Sequence, residues 1–331
     1  MKKGLFLTLL SVVLFSLRVS AQSSLLATLN HEGTISTYYG ASALQQAYNA
    51  ATHGDVITLS SGSFLGTDIK KAITLRGAGM QVDTVSHTEP TVITNNFTID
   101  ISDTLSHRLT MEGIYSNQTI KVNTLKNAMF LKCRFYEFTY SSQSTSKMVD
   151  LNFIHCRIAY YFRLTNGSAA FTNCVINNIY QNSGSPMSLT NCYTKADPRM
   201  ANTELSNSEF KNCIIVSNIN GNSSSTYYNN LYVTSSGCNL NSPNNTNVKI
   251  LNTDERIKFL TGDYSDDKDY VLTDAVRALI KGTDGTEVGI HGGSLPYDPT
   301  PTNPQITKFN VAAKSTVDGK LSVDIEVNSA N

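Results

Sequence analysis

A phrase repeated between Leu131 and Val233 constrains the fold of this chain more than any other feature. Each copy joins an apolar residue, a spacer, in most copies an Asn and a Cys, and then β-branched or aromatic residues. The copies are Leu-Lys-Cys-Arg-Phe at 131–135, Ile-His-Cys-Arg-Ile at 154–158, Phe-Thr-Asn-Cys-Val-Ile at 171–176, Leu-Thr-Asn-Cys-Tyr at 189–193, Phe-Lys-Asn-Cys-Ile-Ile at 210–215 and Tyr-Tyr-Asn-Asn-Leu-Tyr at 227–232. Their five cysteines are separated by 23, 18, 18 and 21 residues. A repeat of roughly 20 residues built from short β-prone runs predicts a stacked β-solenoid.

The spacing inside each phrase predicts a bend at its Asn. Phe210 and Cys213 lie three residues apart, so the alternation of a single strand cannot turn both toward the core. Asn tolerates the left-handed backbone of a one-residue corner, and such a corner resets the alternation. Successive coils then stack about 4.8 Å apart, and equivalent residues form ladders. The expected ladders are Asn173, Asn191 and Asn212 at the corner and Cys133, Cys156, Cys174, Cys192 and Cys213 inside it.

These coils resemble the right-handed parallel β-helix of the pectin-lyase-like superfamily. The segments at 39–79 and 269–304 are, more narrowly, similar to uncharacterised secreted β-helix proteins of gut Bacteroidota. The resemblance implies an all-β fold, a right-handed parallel β-helix with a short N-terminal capping helix and a C-terminal β-hairpin tail. It leaves the chemistry open, because the superfamily holds lyases, hydrolases, esterases and proteins without catalytic activity.

Four segments are expected along the chain. Residues 1–21 have the features of a signal peptide, with Lys2 and Lys3 before an apolar run and a small-residue cleavage site at Val19-Ser20-Ala21. Residues 22–54 are expected to form an N-terminal cap with a helix, 55–295 the parallel β-helix and its C-terminal cap, and 296–331 a Pro-rich linker and a β-hairpin tail. The apolar run is too short to span a membrane, and no later segment qualifies. We therefore expect an exported protein that is periplasmic, cell-surface or secreted.

Both ends of the chain carry local signals. A helix is predicted over 42–52, where Ser42 and Gln45 have the spacing of a capping box. Its apolar stripe predicts a buried face, as a cap on the open end of a solenoid needs. The stripe consists of Leu44, Ala47, Tyr48 and Ala51. Near the other end, Asp318-Gly319 between two apolar runs predicts a hairpin.

Composition excludes some partners and leaves the cysteines open. The 26 basic and 26 acidic residues give no net charge, so nucleic-acid binding is not expected. Six cysteines in an exported chain suggest disulfides. Stacked cysteines have nearly parallel Cβ vectors, however, which suit a bridge poorly, so we favour buried thiols for the five ladder cysteines and keep at least one bridge as the alternative. Cys238 lies outside the phrase, and its state is left open.

Three short motifs and one arginine suggest chemistry on a polysaccharide. Asn252-Thr253-Asp254, Arg256-Ile257-Lys258 and Asp266-Asp267 match motifs that polygalacturonases carry on this fold. Those motifs must come from different coils to bring carboxylates across one groove, whereas here the first two are adjacent. We interpret them as a coincidence. Arg76, in an Arg-Gly-x-Gly turn, is interpreted as structural because Arg loses its proton only with great difficulty.

A calcium site is a weaker hypothesis. The carboxylates of one loop are of the type that calcium prefers, but the loop lies beyond the repeats, where a solvated turn is the simpler interpretation. The candidate ligands are Asp263, Asp266, Asp267 and Asp269. In the central coils we note only Asp150 and Glu137 as isolated acids, which argues against catalysis. The six His residues have no metal-ligand spacing, and no cofactor is expected.

Aromatic residues in the same coils suggest a sugar-stacking surface, although about half of them should point inward. The candidates are Tyr136, Tyr140, Tyr160, Tyr161 and Phe162. We therefore expect an exported, non-catalytic β-helix protein that binds a polysaccharide or other glycan, or that serves as a surface structural module. The alternative is a divergent polysaccharide lyase or glycoside hydrolase acting on acidic polysaccharides, and a second alternative is an adhesin or assembly partner. Acids that converge with a Lys or Arg on one exposed groove favour the enzyme, and a groove of amides, hydroxyls and aromatics favours binding.

Overall fold

A computed structural model describes residues 25–83, 87–102, 107–182, 184–195, 204–216, 220–221, 224–234, 245–262, 270–300, 305–311 and 314–328. Over these residues the chain is nearly all β, and its main body is a parallel β-solenoid of about eight turns with a short helix near the N-terminus and a hairpin near the C-terminus. The predicted fold class is confirmed. The predicted signal peptide lies outside the described residues.

The N-terminal end begins with an antiparallel hairpin. Strands β1 (Leu26–His31) and β2 (Thr34–Tyr39) are joined at Glu32 and Gly33, both of which have positive φ. Helix α1 (Ala43–Ala50) follows and buries the predicted apolar stripe. Strand β1 also pairs antiparallel with the first solenoid strand. The helix and hairpin therefore pack directly on the first coil.

The predicted capping box of α1 is wrong. The Ser42 side chain makes no hydrogen bond to the helix backbone. Its Oγ instead accepts a hydrogen bond from Nε2 of Gln46, while Nε2 of Gln45 donates to the carbonyl of Gly66. Gln45 therefore ties the helix to the first coil, a tertiary contact that local spacing cannot reveal.

The strands of the solenoid are short and follow one another in chain order. They are β3 (Val56–Leu59), β4 (Gly62–Phe64), β5 (Thr74–Arg76), β6 (Thr91–Ile93), β7 (Phe97–Asp100), β8 (Thr110–Glu112), β9 (Ile114–Leu131), β10 (Arg134–Tyr140), β11 (Lys147–Ile154), β12 (Arg157–Leu164), β13 (Gly167–Thr172), β14 (Val175–Gln181), β15 (Met187–Thr190), β16 (Tyr193–Thr194), β17 (Glu204–Leu205), β18 (Glu209–Lys211), β19 (Ile214–Ile215), β20 (Asn220–Gly221), β21 (Thr226–Tyr228), β22 (Leu231–Tyr232), β23 (Asn245–Thr246) and β24 (Lys249–Ile250).

Parallel pairing arranges most of these strands into three faces. The first face consists of β3, β5, β8, the end of β9, β11, β13, β15, β18, β21 and β23. The second face consists of β4, β6, the start of β9, the starts of β10, β12 and β14, and then β16, β19, β22 and β24. The third face consists of β7, the middle of β9 and the ends of β10, β12 and β14.

The core lies between the three faces and is rich in stacked rings. On the first face, Phe153 stacks between Phe130 and Phe171, with ring centroids 4.6 and 4.7 Å away. Phe210 stacks on Tyr227 at 5.0 Å. These spacings match the distance between neighbouring strands, about 4.8 Å, because each ring comes from the same position of successive coils. Repetition of one inward position thus produces two stacks of rings, which Leu189 separates.

The chain after the last coil contains two short helices, a long irregular segment and a hairpin. The helices are α2 (Thr253–Ile257) and α3 (Asp274–Arg277). Strands β25 (Gln305–Val311) and β26 (Val323–Asn328) pair antiparallel, as predicted around Asp318-Gly319. Residues 281–300, between α3 and the hairpin, are called the strap below.

Candidate functional site

The corner between the first and second faces is a column of left-handed residues. Asn173, Asn191 and Asn212 have φ of 49°, 52° and 56°, and the equivalent Lys132 and His155 have φ of 50° and 52°. Asn229 and Asn247 continue the column. A single left-handed residue per coil turns the chain and resets the strand alternation, which is the physical role expected from the phrase.

The five ladder cysteines lie directly inside this corner. Cys133, Cys156, Cys174, Cys192 and Cys213 are completely buried, and all five are free thiols. Each Sγ lies within 3.5 Å of backbone carbonyl oxygens, as Sγ of Cys174 does with those of Phe153 and Thr172. Burial raises the pKa of Cys133, Cys174 and Cys213 well above the ordinary value, so the neutral thiol is favoured. Cys238 lies outside the described residues.

The corner side chains bind the strap. Nδ2 of Asn173 donates to the carbonyls of Ile290 and Gly292, both at 2.8 Å. Oδ1 of Asn212 accepts from the backbone N–H of Thr283 at 2.9 Å. These partners are 71 to 119 residues away in sequence. The amide of a corner Asn therefore serves two purposes, since its backbone turns the coil and its side chain holds the strap.

The outer corners of the column extend the same interaction. Nδ2 of Asn229 donates to the carbonyl of Lys281 at 2.8 Å. At the other end of the strap, Nε2 of His155 lies 3.1 Å from the carbonyl of Leu295. Nζ of Lys132 donates to Oδ2 of Asp298 at 2.8 Å and to the carbonyl of Thr300 at 2.6 Å. At these two corners Lys132 and His155 stand in place of Asn, and their longer side chains reach the strap.

Below the strap, the second face is covered by apolar contacts. The residue after each corner Cys points outward, and in the middle coils it is apolar and buried by the C-terminal segment. These residues form a second hydrophobic cluster with Val175, Tyr193, Ile214, Leu231, Tyr270, Leu272, Val276, Ile280, Val288 and Ile290 among its members. A side chain at Gly289, whose φ is 86°, would collide with Ile214. The glycines of the strap let its backbone approach this face closely.

The first face is open on the other side of the corner. Its outward positions form a shallow groove of about 650 Å³. We call it the first-face groove, and its lining residues are Asp150, Leu151, Asn152, Ser168, Ala169, Ala170, Pro186, Met187, Ser188, Asn207, Ser208, Glu209, Ser224 and Thr226. Hydroxyl, amide and carboxylate groups dominate this lining. The accessible apolar part of the lining comes from Ala170 and Pro186, since the side chains of Leu151, Ala169 and Met187 belong to the core.

The turns beside the groove form a second polar row that fixes its edge. The amide of Asn166, which has φ of 46°, donates to three carbonyls of the preceding turn, including that of Ser146 at 3.0 Å. Nε2 of Gln143 donates to Oδ1 of Asn182 in a turn farther along. The backbone N–H of Ser208 donates to Oγ of Ser225 at 3.2 Å. The turns beside the groove are therefore tied to one another.

Two acids line the groove, and one of them was missed by the sequence analysis. Asp150 accepts a hydrogen bond from Oγ of Ser168 at 3.0 Å. Glu209 is exposed three coils away, in register with Asn152 through Ala170 and Ser188. Three coil spacings separate the two residues by ~14 Å along the solenoid axis, and Asp150 is offset from the register of Glu209 by two further residues. Glycoside hydrolysis requires about 5 to 9.5 Å, so this pair does not meet the requirement.

No Lys or Arg is among the described residues that line the groove with these acids. Lys211 lies just outside the lining, two residues after Glu209 on the same face. Its charge also reaches the strap, where the pKa of Asp284 is lowered first by hydrogen bonds from Thr286 and then by Lys211. The other noted acid, Glu137, is on the third face and pairs with Arg163 at 2.8 Å. The combination of acids and a base that favours an enzyme is therefore not present in the lining described.

The predicted aromatic surface is only partly exposed. Tyr161 and Phe162 are buried, and Tyr140 is half-buried. Tyr136 and Tyr160 are exposed and stack on each other with their centroids 5.3 Å apart. One face of each ring therefore packs on its partner and is not open to a sugar.

The remaining candidates have structural contacts or lie outside the described residues. Arg76 pairs with Glu112 at 3.3 Å. Asn252 caps α2 in a complete capping box with Glu255, a local signal that the sequence analysis overlooked when it compared this stretch with catalytic motifs. The four candidate calcium ligands, Asp263, Asp266, Asp267 and Asp269, fall in 263–269 and are not described.

The described part of the chain contains no group of three or more His, Cys, Asp and Glu side chains arranged to hold a metal ion. No helix within those same ranges has the length and apolar character needed to cross a membrane.

Comparison with known proteins adds no family to this description. No protein-family model, no curated protein and no solved structure matches the chain.

Proposed function

We propose that this chain is an exported, non-catalytic β-helix protein that binds glycan in the first-face groove. The observation that carries this proposal is the contrast between the two faces beside the corner. The second face is closed by the strap, whereas the first-face groove presents hydroxyl, amide and carboxylate groups from consecutive coils. Such groups exchange hydrogen bonds with sugar hydroxyls, and the small apolar surface of Ala170 and Pro186 suits the C–H face of a sugar ring.

The competing function is a divergent polysaccharide lyase or glycoside hydrolase acting on acidic polysaccharides. The axial separation of ~14 Å between Asp150 and Glu209, estimated from the coil spacing, argues against hydrolysis in the groove. The lack of a Lys or Arg among the described lining residues argues against a lyase, which needs a base and a partner for the substrate carboxylate.

A role as an adhesin or assembly partner is favoured by one specific observation. The alternating residues Val323, Ile325 and Val327 of β26 are each about half exposed, so one face of the hairpin carries uncovered apolar side chains. A two-stranded hairpin is marginally stable alone, and a partner that covers this face would stabilise it. Removal of residues 303–331 tests this role, because retention at the cell surface should then fall.

Membership of the pectin-lyase-like superfamily, and a likeness to secreted β-helix proteins of gut Bacteroidota, are part of the proposal. They are supported by the coil length and by the strand, corner and strand order of each phrase. Export is proposed from residues 1–21. Mass spectrometry of the protein recovered from its native host should find a mature N-terminus at Gln22.

The test is a combined binding and activity screen of the mature protein. Plant, mucin and glycosaminoglycan polysaccharides are presented with and without calcium, and retention is followed by affinity electrophoresis. Reducing ends and the ultraviolet signal of unsaturated uronates report turnover. Retardation without product is the expected result. Product from any polymer overturns the non-catalytic proposal, and a lack of retardation with every polymer overturns glycan binding.

A further inference from the structure

The first-face groove has a periodicity that bears on the shape of its ligand. One outward position repeats along it, because Asn152, Ala170, Ser188, Glu209 and Thr226 are successive partners in the parallel ladder. Each step along this row equals one coil spacing, about 4.8 Å, so five positions span ~19 Å along the solenoid axis. A sugar unit in an extended polysaccharide has a length close to one such step.

The lining groups differ from coil to coil but are of one general type. Asn152, Ser188 and Thr226 present an amide or a hydroxyl at the repeated position, and Ser168, Asn207 and Ser224 present the same groups at the groove edge. Every coil therefore offers short polar side chains that neither reach far into solvent nor obstruct the next coil. This arrangement fits an unbranched chain that meets similar contacts at each unit.

The charge of the groove selects against acidic sugars. Asp150 and Glu209 supply negative charge near its two ends, and no Lys or Arg is present in the described lining to oppose them. Like charges in a partly desolvated groove repel a uronate polymer, and this repulsion is strongest at low ionic strength. Neutral sugars do not meet this penalty, and a carboxylate accepts hydrogen bonds from their hydroxyl groups.

We propose that the ligand of the first-face groove is a linear, uncharged polysaccharide that lies along the solenoid axis with about one sugar unit per coil. This inference rests on the proposed glycan-binding function. It predicts a length dependence, since each added unit gains a further set of contacts until the groove is filled.

The experiment is calorimetric titration with neutral oligosaccharides of two to eight units, drawn from glucan, mannan and xylan series, and with uronate oligomers of equal length. Affinity for the bound neutral series should rise with each unit and level off at about five units, the number of coils that line the groove. The uronate oligomers should bind at least about tenfold more weakly at low salt, which corresponds to the repulsion of more than one charge.

Three variants locate the binding. Ser188→Tyr places a large side chain at the centre of the groove, and Lys121→Tyr adds the same side chain on the exposed third face as the matched control. Ser188→Tyr should abolish binding, and Lys121→Tyr should leave it unchanged. Glu209→Gln removes one charge without adding bulk, and it should raise affinity for uronate oligomers up to about fivefold, the range of one exposed charge interaction. Circular dichroism and thermal melts confirm that each variant is folded.

The possible results distinguish a wrong assignment of the ligand from a wrong assignment of glycan binding to the groove. Preferential binding of uronate oligomers that Ser188→Tyr abolishes would keep the glycan-binding groove and overturn the uncharged ligand. A neutral ligand whose affinity does not change beyond two units would overturn the axial arrangement. If neither class binds, or if Ser188→Tyr binds as well as Lys121→Tyr, the proposed function of the groove itself is wrong.

Discussion

The first and second faces meet at one corner and belong to the same coils, yet only one of them is covered by the described part of the chain. At the outward position after the corner, the central coils carry Val175, Tyr193 and Ile214, which are buried under the C-terminal segment. At the repeated position of the first face, the same coils carry Ala170, Ser188 and Glu209, which remain accessible. The difference lies in side-chain size and polarity, not in backbone geometry.

This comparison teaches that a solenoid coil does not itself define a binding surface. The ladders of both faces have the same parallel pairing. Removal of the large apolar side chains of one face from water lowers the free energy of the folded state. Covering the small polar side chains of the other face gives no such stabilisation. The C-terminal segment therefore packs on the face where burial is favourable, and the polar face stays accessible to another molecule.

The largest expected effect concerns the covered face. Ile214→Ala removes a side chain that is 1% exposed and packs against the strap. We expect a loss of about 2–5 kcal/mol in the free energy of unfolding, the usual cost of this truncation in a core. Chemical denaturation followed by circular dichroism measures it. A loss below about 1 kcal/mol, typical of a surface site, would show that the strap does not seal this face.

A smaller effect is expected at the corner. Asn173→Gly removes both hydrogen bonds to the strap and leaves the carbonyls of Ile290 and Gly292 without this partner, which should cost about 1–3 kcal/mol. Asn173→Ala should cost about 1 kcal/mol more, because Ala disfavours the left-handed backbone at φ of 49° whereas Gly accepts it. Thermal melts of the two variants separate the side-chain contribution from the backbone contribution. Equal losses in both variants would argue against backbone strain at this corner.

The end of the strap should respond to acid. Burial alone raises the pKa of Asp298, but hydrogen bonds from Lys132 and Thr300 outweigh burial and hold the pKa below the ordinary value. A carboxyl with a lowered pKa stabilises the folded state fully above its unfolded pKa of about 4, and this contribution is lost as the pH falls through the folded value.

Asp298→Asn tests this dependence. Because Asp298 is partly exposed, solvent screening limits its contribution to at most about 1 kcal/mol. The melting temperature of the variant should be lower than that of the wild type at pH 6. The two should converge as the pH falls from about 4 through the lowered folded pKa, where the wild-type carboxyl becomes protonated as well. A difference that stays constant from pH 6 to pH 3 would exclude the ionised contact.

The smallest expected effect belongs to the open face. Ser188→Ala and Thr226→Ala should each change the free energy of unfolding by less than about 0.5 kcal/mol, because neither side chain supports a packed contact. Both should nevertheless weaken retention by a glycan that binds in the first-face groove. If either variant lost as much free energy of unfolding as Ile214→Ala, the first face would be packed as the second face is, and the contrast between a covered and an open face would be wrong.

The periodic part of this architecture was predictable, and the reasons are local. The three-residue spacing between Phe210 and Cys213 requires a corner, and Asn212 is suited to supply it. Lys132 and His155 obey the same backbone rule without being Asn, and their place directly before the Cys of each phrase indicates it. The hairpin at Asp318-Gly319 followed from turn chemistry alone.

The site was not predictable to the same degree, because it depends on contacts distant in sequence. No local signal connects Asn173 with Ile290, 117 residues away. Without the strap, the outward residues of the two faces cannot be divided into covered and open sets. The role of Glu209 also becomes visible only when its coil is placed in register with that of Ser188.

The strap also bears on how such a chain is assembled and how it comes apart. Coils of a solenoid contact only their neighbours, so an array of this kind can open from an end one coil at a time. Here residues 281–300 bind corners from Asn229 to Lys132, and a segment synthesised after all the coils therefore joins coils that were made much earlier. Coils that form during synthesis lack the hydrogen bonds between their corner side chains and the strap until the strap has been synthesised. Once it is in place, unfolding that starts at either end cannot pass these coils without releasing the strap, so the coils that it spans should open together.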